Sequence, residues 1–335
     1  ADWRPSALSS TDYLQGFPTQ DIVDYEMSLN TQQLYTHYWF YFPNEDMLPT
    51  LSGNYAIIIY EDNDIDNRVA TVCFSVVDPK AHTQVSVRGN TDIELNGRYQ
   101  QLDIDLYTDG VTWTQANDFL LVVQQNNRYD NIVYNPRPTY IESNRLRYIN
   151  QRKLIFEGGN EYRYFDIAST YYMGNNVDHI YFDHTYYHAF LLPSESRADL
   201  SYTAQYDSNG QFVINAERTD YDDTEAEYMW VHFFLPKDFP FTDGDVYVGG
   251  DLFFNQLSSD NKMQYDSEHK CYTLSRYLKQ GGYDFQYWFV PRYTKKVTTQ
   301  PVEGSHYETQ NEYTVYVYYR PFGALYDQLI SVQRL

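Results

Sequence analysis

Met229-Trp230-Val231-His232-Phe233-Phe234-Leu235 places Met229, Val231, Phe233 and Leu235 at every second position, with Trp230, His232 and Phe234 between them. Successive strand side chains point to opposite faces, so a period of two is the signature of a strand with one buried face. The same alternation recurs in three other places. Leu102, Ile104 and Leu106 alternate with Asp103, Asp105 and Tyr107; Tyr283, Phe285, Tyr287 and Phe289 oppose Asp284, Gln286, Trp288 and Val290; and Tyr313, Val315, Val317 and Tyr319 share one face. Turn residues fall between such stretches every 8–12 positions or so, the spacing of β-sandwiches. No 20–50-residue repeat is visible, which argues against a propeller or solenoid.

Composition agrees. The 335 residues include 37 Tyr and 19 Phe, and aromatic and β-branched residues suit pleated, half-buried surfaces. Lys plus Arg number 24 against 46 Asp plus Glu, a net charge of −22. That sign disfavours nucleic acid and anionic lipid as partners. Mean hydropathy is −0.63, and no apolar run approaches the ~20 residues of a membrane span. A soluble protein without direct membrane insertion is expected. Two widely separated cysteines, Cys73 and Cys271, suffice neither for a disulfide scaffold nor for a cysteine metal site; both are expected as buried free thiols.

Three units are expected, in sequential order. Residues 1–79 hold a hairpin, Tyr55–Tyr60 and Val69–Val77 around the polar turn Asp62–Asn67, with one or two further strands and a short helix near Ser10–Gly16. That is the C-terminal part of a truncated β-sandwich. Residues 80–218 form a second sandwich and residues 219–335 a third. The fold class expected is therefore all-β, with tandem immunoglobulin-like or early-set sandwiches of which the first is incomplete. No secretory leader precedes Ala1-Asp2-Trp3 and no initiating Met is present, so the numbering is expected to begin inside a longer protein.

A search for chemistry returns little. Nucleotide-binding glycine fingerprints, a nucleophile elbow and a zincin motif are absent. His306-Tyr307-Glu308 has the His-x-Glu form of zinc deaminases without the Pro-Cys-x-x-Cys they need. Asp62, Asp64 and Asp66 match the first three ligand positions of an EF-hand loop, but Asn67 and Cys73 occupy the sixth and twelfth; a solvated turn is the better reading. His179, His184 and His188 cluster near Asp178 and Asp183. Strand spacing separates His184 from His188 by about 13 Å, which favours sheet-surface histidines over a metal site. Asp220, Asp222, Asp223, Glu225 and Glu227 read as a solvated linker before they read as calcium ligands or a glycosidase carboxylate pair. Trp3, Trp39, Trp113, Trp230 and Trp288 fall in or near strand patterns, which favours packing over sugar stacking. No catalytic, cofactor-binding or metal residue is assigned, and no cofactor is expected.

Several phrases resemble one known family. They are Ala1-Asp2-Trp3, Tyr13-Leu14-Gln15-Gly16-Phe17, Asp24-Tyr25-Glu26, Phe42-Pro43-Asn44 and Ser52-Gly53-Asn54-Tyr55. To these add Ser28-Leu29-Asn30-Thr31, Tyr35-Thr36-His37-Tyr38 and Phe156-Glu157-Gly158-Gly159-Asn160-Glu161-Tyr162 with Arg163-Tyr164-Phe165-Asp166, then Glu303-Gly304 through Tyr307-Glu308-Thr309, Asn311-Glu312-Tyr313 and Tyr318-Tyr319-Arg320-Pro321. Together they resemble the type IX secretion system plug proteins, long catalogued as a domain of unknown function. The resemblance implies tandem β-sandwiches and a periplasmic location on the inner face of the outer membrane. It implies a non-enzymatic role, closing the periplasmic opening of the outer-membrane type IX translocon barrel when substrate is absent. It carries no catalytic or cofactor residue and does not mark a partner-binding surface. Val246-Tyr247-Val248-Gly249-Gly250-Asp251-Leu252-Phe253-Phe254-Asn255 separately resembles glycogen-binding early-set modules, but their sugar-binding Trp is missing. The alternative function, a carbohydrate-binding β-sandwich protein, requires exposed, coplanar aromatics on one face of the third unit.

Overall fold

The computed structural model describes residues 1–335. Six strands come first: β1 (Leu14–Gly16), β2 (Asp24–Met27), β3 (Thr36–Trp39), β4 (Met47–Pro49), β5 (Gly53–Tyr60) and β6 (Arg68–Val76). They pair antiparallel as three separate two-stranded ladders, β1 with β4, β2 with β3 and β5 with β6. The helix expected near Ser10–Gly16 is one turn, Ser10–Tyr13, after which the chain is already extended. Among the first 78 residues only Ser28 and Gly53 are buried. These ladders therefore have no hydrophobic core of their own.

The chain then builds β7 (His82–Arg88), β8 (Tyr99–Tyr107), β9 (Phe119–Gln125), β10 (Val133–Tyr134), β11 (Tyr140–Ile141), β12 (Arg145–Tyr148) and β13 (Ile155–Glu157). It continues as β14 (Arg163–Asp166), β15 (Val177–Phe182), β16 (Tyr187–Leu191), β17 (Phe212–Ile214), β18 (Tyr228–Pro236), β19 (Gly244–Gly249), β20 (Gln264–Asp266), β21 (Cys271–Lys279) and β22 (Gly281–Pro291). Two strands close it, β23 (Tyr313–Tyr319) and β24 (Gln328–Arg334).

These make two sandwiches, nested rather than tandem. In the outer one, β7, β12 and β13 all pair with β8, and β11 extends from β12; the facing sheet runs β10-β9-β23-β24. Leu102, Ile104 and Leu106 of β8 meet Leu121 and Val123 of β9 and Val315 and Val317 of β23 in one core. In the inserted one, β14, β17 and β19 line up along the long strand β22, facing the sheet β15-β16-β18-β21-β20. Its core joins Phe165, Tyr283, Phe285 and Tyr287 to Met229, Val231 and Phe233. The expected division into 80–218 and 219–335 is thus corrected. Residues 163–303 form one sandwich, and β23 returns to pair with β9 from Tyr313↔Gln125 to Tyr319↔Phe119. Periodicity fixes which face of a strand is buried, not which strand lies beside it. One pair, β16 with β18, is parallel. A parallel pair needs a long crossover, and residues 192–227 provide it.

Candidate functional site

Two places concentrate polar and aromatic chemistry. The first is the junction between the sandwiches, which the chain crosses at residues 158–162 and again at 303–312. Gly159 N–H donates to Ser305 Oγ (3.0 Å) and His306 N–H to the Gly159 carbonyl (2.8 Å), so the outgoing and returning segments lie side by side. Asn311 Nδ2 donates to the Gly158 carbonyl (2.7 Å), and Gln100 Nε2 to the carbonyls of Tyr307 and Thr309 (2.7 Å each). A Cβ on Gly158 would meet the His306 carbonyl oxygen at 1.9 Å, so only glycine allows this approach.

Next to the crossing sits Glu303, whose side chain is fully buried. Its carboxylate receives Arg163 Nη2 at 2.9 Å, Arg197 Nη2 at 2.8 Å and the Tyr287 backbone N–H at 2.9 Å. Burial alone would raise its pKa, but the two guanidiniums outweigh burial and hold the group below the usual carboxylate range. The Arg128 guanidinium, from the outer sandwich, lies 4.8 Å over the ring of Trp288 in the inserted one, and Trp288 is itself fully buried. Asp284, nearby on β22, is pushed up to about 6, chiefly by burial. Nothing in the alternation of residues 283–290 singled out these ionic roles.

The second place is the outer face of the sheet β15-β16-β18-β21. Register lines up His179, Phe190, His232 and Ser275 in one row across four strands, and Tyr181, His188, Trp230 and Tyr277 in the next. Phe190 is stacked on both sides, by His179 (centroids 4.4 Å apart, planes 8° apart) and by His232 (4.3 Å, 21°). A polar chain runs through these rings: Ser275 Oγ is 2.7 Å from His232 Nδ1, His232 Nε2 is 3.0 Å from His188 Nδ1, and His188 Nε2 is 3.3 Å from Asp183 Oδ2. Burial first, then the neighbouring His188 and His179, push His232 down to about 4. It is neutral at pH 7, and every nitrogen is satisfied if each group donates toward Asp183.

The remaining sequence candidates are dispersed. His184 sits in the β15–β16 turn with φ of +75°, its ring edge-on to Phe182. Asp62, Asp64 and Asp66 lie in the β5–β6 turn, where Asp64 Oδ1 accepts the Asp66 N–H. No group of three or more His, Cys, Asp or Glu residues has a metal-holding arrangement. The acidic stretch is more than a linker. Asp222–Glu225 forms one helical turn, and the buried Glu227 carboxylate accepts the backbone N–H groups of Gln32, Gln33 and Tyr228. Asn30 Nδ2 donates to Glu225 (3.1 Å), and Tyr35 packs edge-on against Tyr228. Residues 28–35 are thus strapped to the inserted sandwich. Cys271 is buried as expected; the expectation fails for Cys73, which is exposed with the whole stretch Arg68–Cys73 of β6. An apolar groove of about 690 Å³ lies at the base of that hairpin, between Phe40, Phe42, Leu48 and Ile57, Val72, Phe74.

The stacking also bears on sugar binding. A sugar ring packs on an exposed aromatic face, whereas both faces of Phe190 are already occupied by neighbouring rings. The coplanar platform required of a carbohydrate-binding module is not what these rows form.

Comparison with known proteins gives three findings. Residues 1–78 match the family model described as the type 9 secretion system plug protein 1st domain. No curated protein matches the chain. A crystal structure of a hypothetical protein from Parabacteroides merdae ATCC 43184 superposes with a TM-score of 0.97 at 41% identity, covering all of this chain and 84% of that one.

Proposed function

We propose, on the premise that this chain belongs to the type 9 secretion system plug proteins, that it is a non-enzymatic periplasmic plug. In this reading it closes the periplasmic opening of the outer-membrane translocon barrel and leaves when substrate arrives. The observation that carries the proposal is the match of residues 1–78 to the first domain of that family. The molecule's physics is compatible with it. Two sandwiches joined by two adjacent chain crossings make a stiff body, and a body that seals an opening gains from stiffness. A net charge of −22 keeps the free protein soluble and steers it toward a basic rim. The reading of residues 1–79 as part of a β-sandwich belongs to the same proposal.

The test is affinity capture of the native protein from detergent-solubilised outer membranes of its own source, read by mass spectrometry. One very large barrel at near-equal stoichiometry is expected, with an association rate that falls as salt rises. Recovery of no membrane protein, with retention on glycan arrays instead, would overturn the plug reading; a salt-independent rate would remove only the steering.

A further inference from the structure

The two sandwiches present equivalent outer sheet faces to solvent, and the two differ in kind. That of the outer sandwich is laced with charge. Asp105 on β8 pairs with Arg145 (2.6 Å) and Arg147 (3.0 Å) on β12, and Asp103 pairs with Arg88 (3.1 Å) on β7. Such a face is at rest in water. The corresponding face of the inserted sandwich carries the two registered rows of aromatic and histidine side chains, with no Lys, Arg, Asp or Glu within either row. Tyr181 is 52% and Tyr186 39% exposed, while the central rings are half-covered by one another. Aromatic residues enriched and charges depleted is the composition of an interface core.

From this contrast we infer that the outer face of β15-β16-β18-β21 is the surface on which the protein docks its secretion-system partner. The inference rests on the plug reading and deepens it. Four strands at ~4.8 Å, with the two rows about 7 Å apart and their side chains covering about 14 Å along the strands, give on the order of 270 Å². That is about a third of the ~800 Å² one partner contributes to a standard interface. The face also continues a contact the molecule already makes: at one end Tyr35 of the strap lies on Tyr228, and Gln33 reaches the Tyr277 hydroxyl.

The geometry specifies the chemistry of the occupant. With Phe190 stacked on both sides, these rings offer edges rather than faces, and ring edges carry the positive end of the quadrupole. Carbonyl oxygens and aromatic faces of a protein surface complement them; sugar C–H groups do not. Asp178 and Asp183 each lie against a histidine of the rows, while the one bordering cation, Lys279, is engaged over the Tyr35 ring and with the Asp223 carbonyl (2.9 Å), so the partner's complementary rim is basic. A second copy of this chain, itself at −22, would bring like charge against like.

The experiment places charge in the face while leaving the fold alone. Tyr181→Glu with Tyr186→Glu is compared with a control double variant, Tyr140→Glu with Ile141→Glu, at exposed positions of the outer sandwich. Thermal midpoints and barrel affinity are measured for both and for the unaltered protein. The expected result is a loss of about tenfold or more in barrel affinity for the first variant alone, as for a truncated interface hot spot. Unchanged affinity in that variant, while the unaltered protein binds, would overturn the docking face and leave the plug reading intact. If the unaltered protein captures no barrel, the plug reading fails first. A dimer in light scattering that the first variant abolishes would assign the face to self-association and overturn the inference.

Discussion

Two buried carboxylates at the junction are opposed in their response to pH. Glu303 is held below its ordinary value of 4.5 by Arg163 and Arg197, so its contribution is complete above pH ~4.5 and is lost as pH falls through the lower folded value. Asp284 is raised from 3.8 to about 6 by burial. The folded state therefore holds its proton more tightly than the unfolded chain does. Its contribution is complete below pH ~3.8 and is lost as pH rises through about 6. The two substitutions should separate cleanly in urea unfolding. Glu303→Gln leaves two guanidiniums facing a neutral amide and should cost about 3 kcal/mol at pH 7, a deficit that shrinks below pH ~4.5. Asp284→Asn should gain on the unaltered protein by about 2–3 kcal/mol between pH 4 and pH 7. Parallel pH profiles for both variants would contradict these assignments. Neither role was legible in the sequence. Asp284 sits among strand residues as an ordinary alternating polar position, and Glu303 ends a single helical turn, Gln300–Glu303. What distinguishes them is which chain segments the fold brings against them.

Alternation read the strands well where one face is open, since the burial of β18 follows the period of two from Tyr228 to Leu235 and that of β8 does so from Leu102 to Tyr107; β23, flanked by β9 and β24, is buried on both faces everywhere but Tyr316. Alternation failed where strands are not covered. β5 and β6 satisfy the pattern, and their turn closes as expected from Glu61 N–H to the Asn67 carbonyl. Yet β6 is exposed from Arg68 to Cys73. At its base the hairpin is anchored by the Tyr318 hydroxyl, which donates to Asn54 Oδ1 (2.8 Å). A free two-stranded ribbon is marginal in water. Its amides at 56–60 and 68–73 should therefore exchange with solvent orders of magnitude faster than those of Leu121–Val123 or Tyr283–Phe289, which lie inside sheets. The strap offers a sharper comparison, because one carboxylate, that of Glu227, accepts two of its backbone N–H groups. Glu227→Ala removes the acceptor for Gln32 and Gln33, and exchange at residues 29–35 should rise to the hairpin's rate while β18 stays protected. Unchanged protection of residues 29–35 would mean that Tyr35, Asn30 and the Lys279 ammonium 4.5 Å over the Tyr35 ring suffice to hold the strap. The acidic run of residues 220–227 was conspicuous in the sequence, but its target, residues 30–35 of the first unit, was not.

At the scale of the molecule, the sequence disclosed an all-β chain and misplaced its divisions. A nested domain leaves no local mark: β23 reads the same whether it finishes the inserted sandwich or returns to the outer one. Only long-range pairing decides, and here seven residues of β23 pair with β9. Nesting has a mechanical consequence. A tandem pair of domains is joined by one covalent strand about which it can bend, whereas these sandwiches are joined by two. The crossings lie a hydrogen bond apart at Gly159 and Ser305 and are backed by Arg128 on Trp288. Adjacent ends also make the insert separable, since each sandwich keeps its own core and the Glu303 cluster lies wholly within residues 160–304. Residues 160–304 expressed alone should fold with a single cooperative thermal transition. Their tryptophan emission should shift to the red, because the Arg128 cover over Trp288 is gone. The complementary chain, with that segment replaced by a short glycine-serine link, should fold around the Leu102–Val315 core. If the isolated insert shows near-native secondary structure but no cooperative transition, the two sandwiches are one folding unit. The stiffness of the whole would then come from a shared core rather than from the paired crossings.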